Sequence, residues 1–207
     1  MNHLSEIQTE AMIELFNIAY GMATSLISDS IGMHSTMYVP EMEIVSIDEF
    51  ANVAYKSMDP GRGYFIVSQV FLNYLEGESV MLMSARSAKA LTECYSKLDE
   101  TLNPDEPDDV KSCTLEITNI ISSALLGRIA DLTNTEIYFQ PPEIRIYEPE
   151  RIAEMNRNQE FTQVIVIKII IDVDTTEIKG NMYILLKEES FGKFKQALDY
   201  FIESYSG

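Results

Sequence analysis

Positive charge is scarce in this sequence: 15 Lys and Arg stand against 33 Asp and Glu, leaving a formal charge of −18. Nucleic-acid backbones and acidic bilayer surfaces are gripped by clusters of Lys and Arg, and no such cluster occurs. Neither nucleic acid nor membrane is therefore an expected partner. Cysteine is limited to Cys94 and Cys113. Without metal-ligand spacing they read as reduced thiols rather than a disulfide framework. Histidine is limited to His3 and His34, with no Cys, Asp or second His at ligand spacing. That argues against a metal site and against a histidine general base. Met1 to Glu10 lacks the basic stretch and apolar run of a secretory signal, and no apolar run approaches ~18 residues. These absences predict a soluble, cytoplasmic protein with no cofactor of its own. What remains is ample for a core, at 46% hydrophobic and 23% charged.

The chain is written twice. Glu14-Leu15-Phe16-Asn17-Ile18 recurs as Glu116-Ile117-Thr118-Asn119-Ile120, 102 residues on, and Ile27, Asp29 and Pro40 recur as Ile129, Asp131 and Pro142. In the late strands, Val80-Met81-Leu82-Met83 matches Met182-Tyr183-Ile184-Leu185 at the same offset. The duplication thus spans the chain, as halves 1–98 and 110–207 joined by an acidic linker, 99–109. Asp99 to Asp109 carries two prolines and six acidic residues, a composition that resists packing.

Apolar residues from Met12 to Leu26 recur at three- and four-residue steps, which predicts a helix from about Ser5 to Ser30 with Gly32 as its stop. Met37 to Ile47 reads as an edge strand interrupted by Pro40, and Asp48 to Tyr55 as a short helix. Gly63 to Tyr74 and Ser79 to Ser84 form a predicted hairpin, after which Ser87 caps a helix through Leu98. The second half repeats this order. A helix is predicted over Val110 to Leu132, a strand over Tyr138 to Tyr147, and a helix or loop over Glu148 to Asn158. A hairpin of Gln163 to Val173 with Ile178 to Leu186 follows, then a helix from Ser190. Strands as apolar as Val164 to Ile171 need cover on both faces, so the halves are expected to share one sheet. The predicted fold is a single α+β domain, 1–207. It has internal pseudo-two-fold symmetry and a largely antiparallel sheet carrying two long motif helices.

On a helix, positions 10, 14, 17 and 21 fall within an arc of about 60°. They are Glu10, Glu14, Asn17 and Gly21 in the first half and Ser112, Glu116, Asn119 and Ser123 in the second. Each quartet lies opposite the apolar stripe. A single Glu and Asn on an exposed face are ordinarily just solvated. Asn, however, is a poor interior helix residue, so two copies at equivalent positions ask for a reason. An amide cannot act as a general base, but it can accept from and donate to a water molecule and so aim it. A carboxylate can fix an ammonium on a partner. With no nucleophile, base or metal, such a surface could hydrolyse only a labile bond such as an acyl phosphate, where positioning is the main resource. Gly21 and Ser123 are small enough to let another backbone approach.

These residues resemble the CheC/CheX/FliY family of chemotaxis phosphatases. The family pattern is Asp or Ser, three residues, Glu, two residues, Asn, then twenty-two residues and Pro. Ser112, Glu116, Asn119 and Pro142 fit throughout; Glu14, Asn17 and Pro40 fit with Glu10 as the one departure. Two copies in about 200 residues are most similar to the two-site CheC type. After Asn the family often has an Ile-Gly-x-Gly-like run, whereas this chain reads Ile18-Ala19-Tyr20-Gly21 and Ile120-Ile121-Ser122-Ser123. The resemblance implies hydrolysis of the phosphoaspartate on a CheY-like response regulator. Glu14 and Glu116 would hold the regulator's lysine, while Asn17 and Asn119 would orient water. Mg²⁺ would come with the regulator, and a CheD-like protein is a further implied partner. The rival reading is a non-catalytic binding module, as in the flagellar-switch proteins that share the fold. A glycosidase is disfavoured, because carboxylates from equivalent sites of a duplicated fold need not face one cleft.

Overall fold

Helix α1 (Glu6–Ile31) begins where the sequence supplies a cap. Ser5 Oγ accepts the Gln8 N–H at 3.2 Å, and Gln8 Oε1 accepts the Ser5 N–H at 3.0 Å, a reciprocal capping box. The helix ends on Gly32, whose φ of 63° lies in the left-handed region that glycine enters without strain. The computed structural model describes residues 4–59, 63–147, 161–173 and 176–205. After α1 come β1 (Ser35–Ser46), α2 (Ile47–Lys56), β2 (Tyr64–Asn73), β3 (Gly77–Ser84) and α3 (Ala85–Tyr95). The second half provides α4 (Pro107–Thr133), β4 (Ile137–Phe139), β5 (Glu143–Tyr147), β6 (Phe161–Val173), β7 (Thr176–Lys187) and α5 (Glu188–Tyr205).

The strands form one antiparallel sheet in the order β1-β6-β7-β3-β2-β4, with β5 also paired to β2. The expected α+β domain with a shared sheet is the observed fold. Its halves are interlocked: β1 of the first adds to β6 of the second, and β4 and β5 of the second add to β2 of the first. The two hairpins meet at β3 and β7, where Met81 lies opposite Met182.

That pairing corrects the strand register expected from the 102-residue offset. Met81 and Met182 share the helix-covered face, whereas Tyr183 joins Val80 and Leu82 on the other. An offset of 102 would match Met81 with Tyr183 and so exchange the faces. Strand side chains alternate, so a symmetry that keeps the faces needs an odd offset here. The late strands are one residue out of phase with the motif helices.

The sheet is covered on both sides. α1, α3, α4 and α5 bury Leu15, Phe16, Ile117, Ile121, Leu125, Phe194 and Leu198 against Phe65, Val67, Met81, Ile167, Met182 and Ile184. On the opposite face, Phe50 and Ala54 of α2 cover Tyr64, Ile66, Leu82, Val164, Tyr183 and Leu185. Phe50 meets the Tyr183 ring edge-on at 5.0 Å between centroids. Burying each large apolar side chain contributes about 1.5–3 kcal/mol. Gly77 is required by close approach, because a Cβ there would stand 2.2 Å from the Leu185 carbonyl oxygen.

Several boundaries differ from expectation. The cap of α3 is Ser84, whose side chain accepts the Ser87 N–H, while Ser87 is buried and accepts the Lys179 N–H at 3.2 Å. Ser190 lies inside the first turn of α5, and its Oγ accepts the Glu76 N–H at 2.8 Å. Pro40 does not break β1; a register shift between Tyr38 and Glu41 absorbs it. Pro141 and Pro142 do divide the next strand, into β4 and β5. α4 starts at Pro107 rather than Val110. Proline suits the first helical position, where its missing N–H is no loss, and Asp108 and Asp109 favour the positive end of the helix dipole. The linker is more ordered than its charge suggests. The Asn103 N–H donates to Asp109 Oδ2 at 2.8 Å, and Leu102 packs on the core. The segment Glu148 to Asn158 lies outside the described residues.

Candidate functional site

Both quartets sit where the helical spacing puts them. Ala11, Met12, Leu15, Phe16, Ala19, Tyr20, Ala23, Ile27 and Ile31 bury one side of α1, and Glu10, Glu14, Asn17 and Gly21 are exposed on the other. In α4 the buried side runs from Val110 through Ile117, Ile121 and Leu125 to Ala130. Ser112, Glu116 and Asn119 are exposed there and Ser123 is half-buried. A Cβ added to Gly21 would meet nothing within 4 Å, so that position is open surface.

The buried sides diverged while the outward Glu and Asn did not. Met12, Phe16 and Tyr20 of α1 correspond to Thr114, Thr118 and Ser122 of α4, all buried. Thr114 Oγ1 donates to the Val110 carbonyl at 2.7 Å and Thr118 Oγ1 to that of Thr114 at 2.8 Å, which satisfies them in the core. Packing accepted large changes. The outward Glu and Asn, which packing does not constrain, are the same in both helices.

α1 and α4 pack against each other. Ser30, near the end of α1, lies 2.7 Å by its Oγ from the Tyr95 hydroxyl. That hydroxyl in turn faces the Glu116 carboxylate, early in α4. Burial, reinforced by the charges of Glu116 and Cys113, pushes the Tyr95 hydroxyl well above its ordinary value, so it stays protonated. The second motif therefore lies near the C-terminal end of α1.

The two sites differ in their surroundings. Below α4, Gln69 of β2 is buried at 3% exposure, and its Nε2 donates to Asn119 Oδ1 at 3.3 Å and to the Gln140 carbonyl at 3.2 Å. Among the described residues the Asn17 carboxamide has no hydrogen-bond partner. α1 also carries exposed apolar side chains, Ile7, Ile13, Met22 and Leu26. Gln69, Gln140 and Tyr95 were not singled out from the sequence. A signal existed for Gln69: strand alternation places it on the same face as Val67 and Phe71, where a polar group needs a partner.

Among the described residues no group of His, Cys, Asp and Glu is arranged to hold a metal ion. α1 is long and apolar enough, by length and composition, to cross a bilayer, which corrects the reading that no such run exists. Its apolar side is instead committed to the core of this domain.

No family model matches the chain. It is 25% identical over 207 residues to the CheY-P phosphatase CheC of Bacillus subtilis (strain 168), covering 95% of this chain and 96% of that one. FliY of Thermotoga maritima superposes with a TM-score of 0.72 at 18% identity, over 97% of this chain and 98% of that one. The FliM middle domain of Vibrio alginolyticus superposes with a TM-score of 0.62 at 13% identity, over 90% and 99%. The chain is thus a homologue of CheC at 25% identity along nearly its whole length, and it shares the fold of FliY and the FliM middle domain.

Proposed function

We propose that this protein hydrolyses the phosphoaspartate of a CheY-like response regulator, through the two Glu-x-x-Asn surfaces of α1 and α4. The observation that carries the reading is selective retention. Glu14 and Asn17 recur as Glu116 and Asn119 on exposed faces, while Phe16 and Tyr20 beneath them have become Thr118 and Ser122. The full-length similarity to a CheY-P phosphatase supports it.

In this reading the regulator docks against one helix, and the Glu carboxylate takes its active-site lysine in a charge-assisted contact. The Asn carboxamide enters beside the acyl phosphate and holds a water molecule in line with the phosphorus. The water oxygen attacks, and the bond from phosphorus to the aspartyl oxygen breaks. Inorganic phosphate and a free carboxylate leave. The chain contributes position and orientation, which suffices because the acyl phosphate is already labile. Mg²⁺ belongs to the regulator in this scheme. A CheD-like protein would be a regulatory partner.

A second reading, a binding module without catalysis, draws on the fold similarity to FliM. The Asn separates the two, because docking alone requires no water-orienting amide. The test is release of phosphate from a phosphorylated CheY-like regulator with and without this protein. Acceleration that disappears in the Asn17→Ala, Asn119→Ala variant supports the phosphatase; binding without acceleration supports the module.

A further inference from the structure

We infer that Gln69 is a positioning residue of the second site, holding the Asn119 carboxamide in a single orientation and tying it to the loop that carries Pro142. The inference rests on the phosphatase reading and adds a residue outside the motif.

The geometry is directional. The Gln140 carbonyl oxygen can only accept, so the group 3.2 Å away must be Gln69 Nε2. The other hydrogen on Nε2 then points to Asn119, 3.3 Å away, and requires the oxygen end of that amide. Asn119 thereby presents Nδ2 outward, together with the remaining lone pair of Oδ1. An amide on an exposed helix face ordinarily exchanges between two flipped states. Here a backbone carbonyl, relayed through Gln69, selects one.

The same contact gives the proline of the motif a physical connection to its Asn. The Gln140 N–H donates to the Val70 carbonyl at 2.9 Å, while the Gln140 carbonyl receives Gln69. Pro141 and Pro142 follow directly, so the loop is pinned to β2 on both sides of one residue. Packing alone does not explain a glutamine here. Its Oε1 is buried without a partner among the described residues, a cost that an apolar residue would avoid. The other half takes that course: β6, which occupies the place of β2, turns Ile165, Ile167, Ile169 and Ile171 to the helix-covered face. Among the described residues the second site alone has a held amide, and this is the site whose motif begins with Ser112 rather than Glu10.

The test uses Gln69→Met, which keeps the volume and removes the donor. With the first site silenced by Asn17→Ala, the substitution should lower turnover of phosphorylated regulator roughly tenfold, with KM changed less than twofold. With the second site silenced by Asn119→Ala, it should change turnover less than twofold. A loss of equal size in both backgrounds would assign Gln69 to folding and overturn the proposal. The side-chain amide signals of Asn119 in an NMR spectrum, recorded without regulator, give a readout independent of activity. They should be dispersed and ordered in the parent and averaged in Gln69→Met. If they do not move, the proposal fails even where turnover falls. No turnover in the parent would count against the phosphatase reading instead.

Discussion

The Tyr95 hydroxyl stands 2.7 Å from Ser30 Oγ and also faces Glu116, so the end of the first motif helix is joined to the start of the second site. Tyr95 is buried at 5% exposure and cannot turn to bulk water. Tyr95→Phe and Ser30→Ala should each lower the unfolding free energy by about 0.5–1.5 kcal/mol. The two losses should not add, because either substitution removes the same bond. Urea unfolding of both single variants and the double variant decides this, and additive losses would show that the pair is not coupled.

Alkaline stability should follow a second tyrosine. Burial pushes the Tyr183 hydroxyl up to about 12, partly countered by its 2.9 Å hydrogen bond with Ser57. A group whose pKa rises on folding contributes fully below its unfolded value, about 10, and loses that contribution as pH approaches the folded one. The urea midpoint should therefore fall between about pH 10 and 12, and fall less steeply in Tyr183→Phe. An identical slope in the variant would exclude Tyr183 as a cause.

The sites should be unequal. The second has Ser112 and a held amide, whereas the first has Glu10 and an Asn without a hydrogen bond among the described residues. Glu116→Ala or Asn119→Ala should cost more phosphatase activity than Glu14→Ala or Asn17→Ala, by roughly an order of magnitude. Initial rates of regulator dephosphorylation at matched protein stability provide the comparison. Equal losses would show that neither Glu10 nor the unanchored Asn17 impairs the first site.

Much of this was legible in the sequence because it is local. Ser5, Gly32 and the apolar spacing between them delimit α1, and exposure of Glu14 and Asn17 follows from helical period alone. The hairpin of β2 and β3 was readable as two neighbouring apolar segments, Gly63 to Tyr74 and Ser79 to Ser84. Non-local features were hidden. Two serines, Ser84 and Ser87, could each have capped α3, and the choice depends on Lys179, 92 residues away, which claims Ser87. The exchange of β1 and β4 between halves leaves no trace in either half alone. The repeat also misled. A constant offset of 102 holds for the helices, but the late strands drifted by one residue, which a match of apolar runs cannot detect when both faces of the sheet are buried. At the site, the motif was readable and its support was not, since Gln69 reaches Asn119 across 50 residues.

The central claim is that Asn supplies the chemistry while Glu supplies docking. Its most direct test is the Asn17→Ala, Asn119→Ala variant, measured for turnover of phosphorylated regulator and for affinity to a beryllofluoride-activated one. Removing a contact that matters only in the transition state lowers turnover without weakening the ground-state complex. Hydrolysis should fall to the regulator's own rate, with affinity kept within several-fold, whereas Glu14→Ala with Glu116→Ala should weaken binding as well. Undiminished hydrolysis by the double Asn variant would contradict the account and leave the binding module in its place.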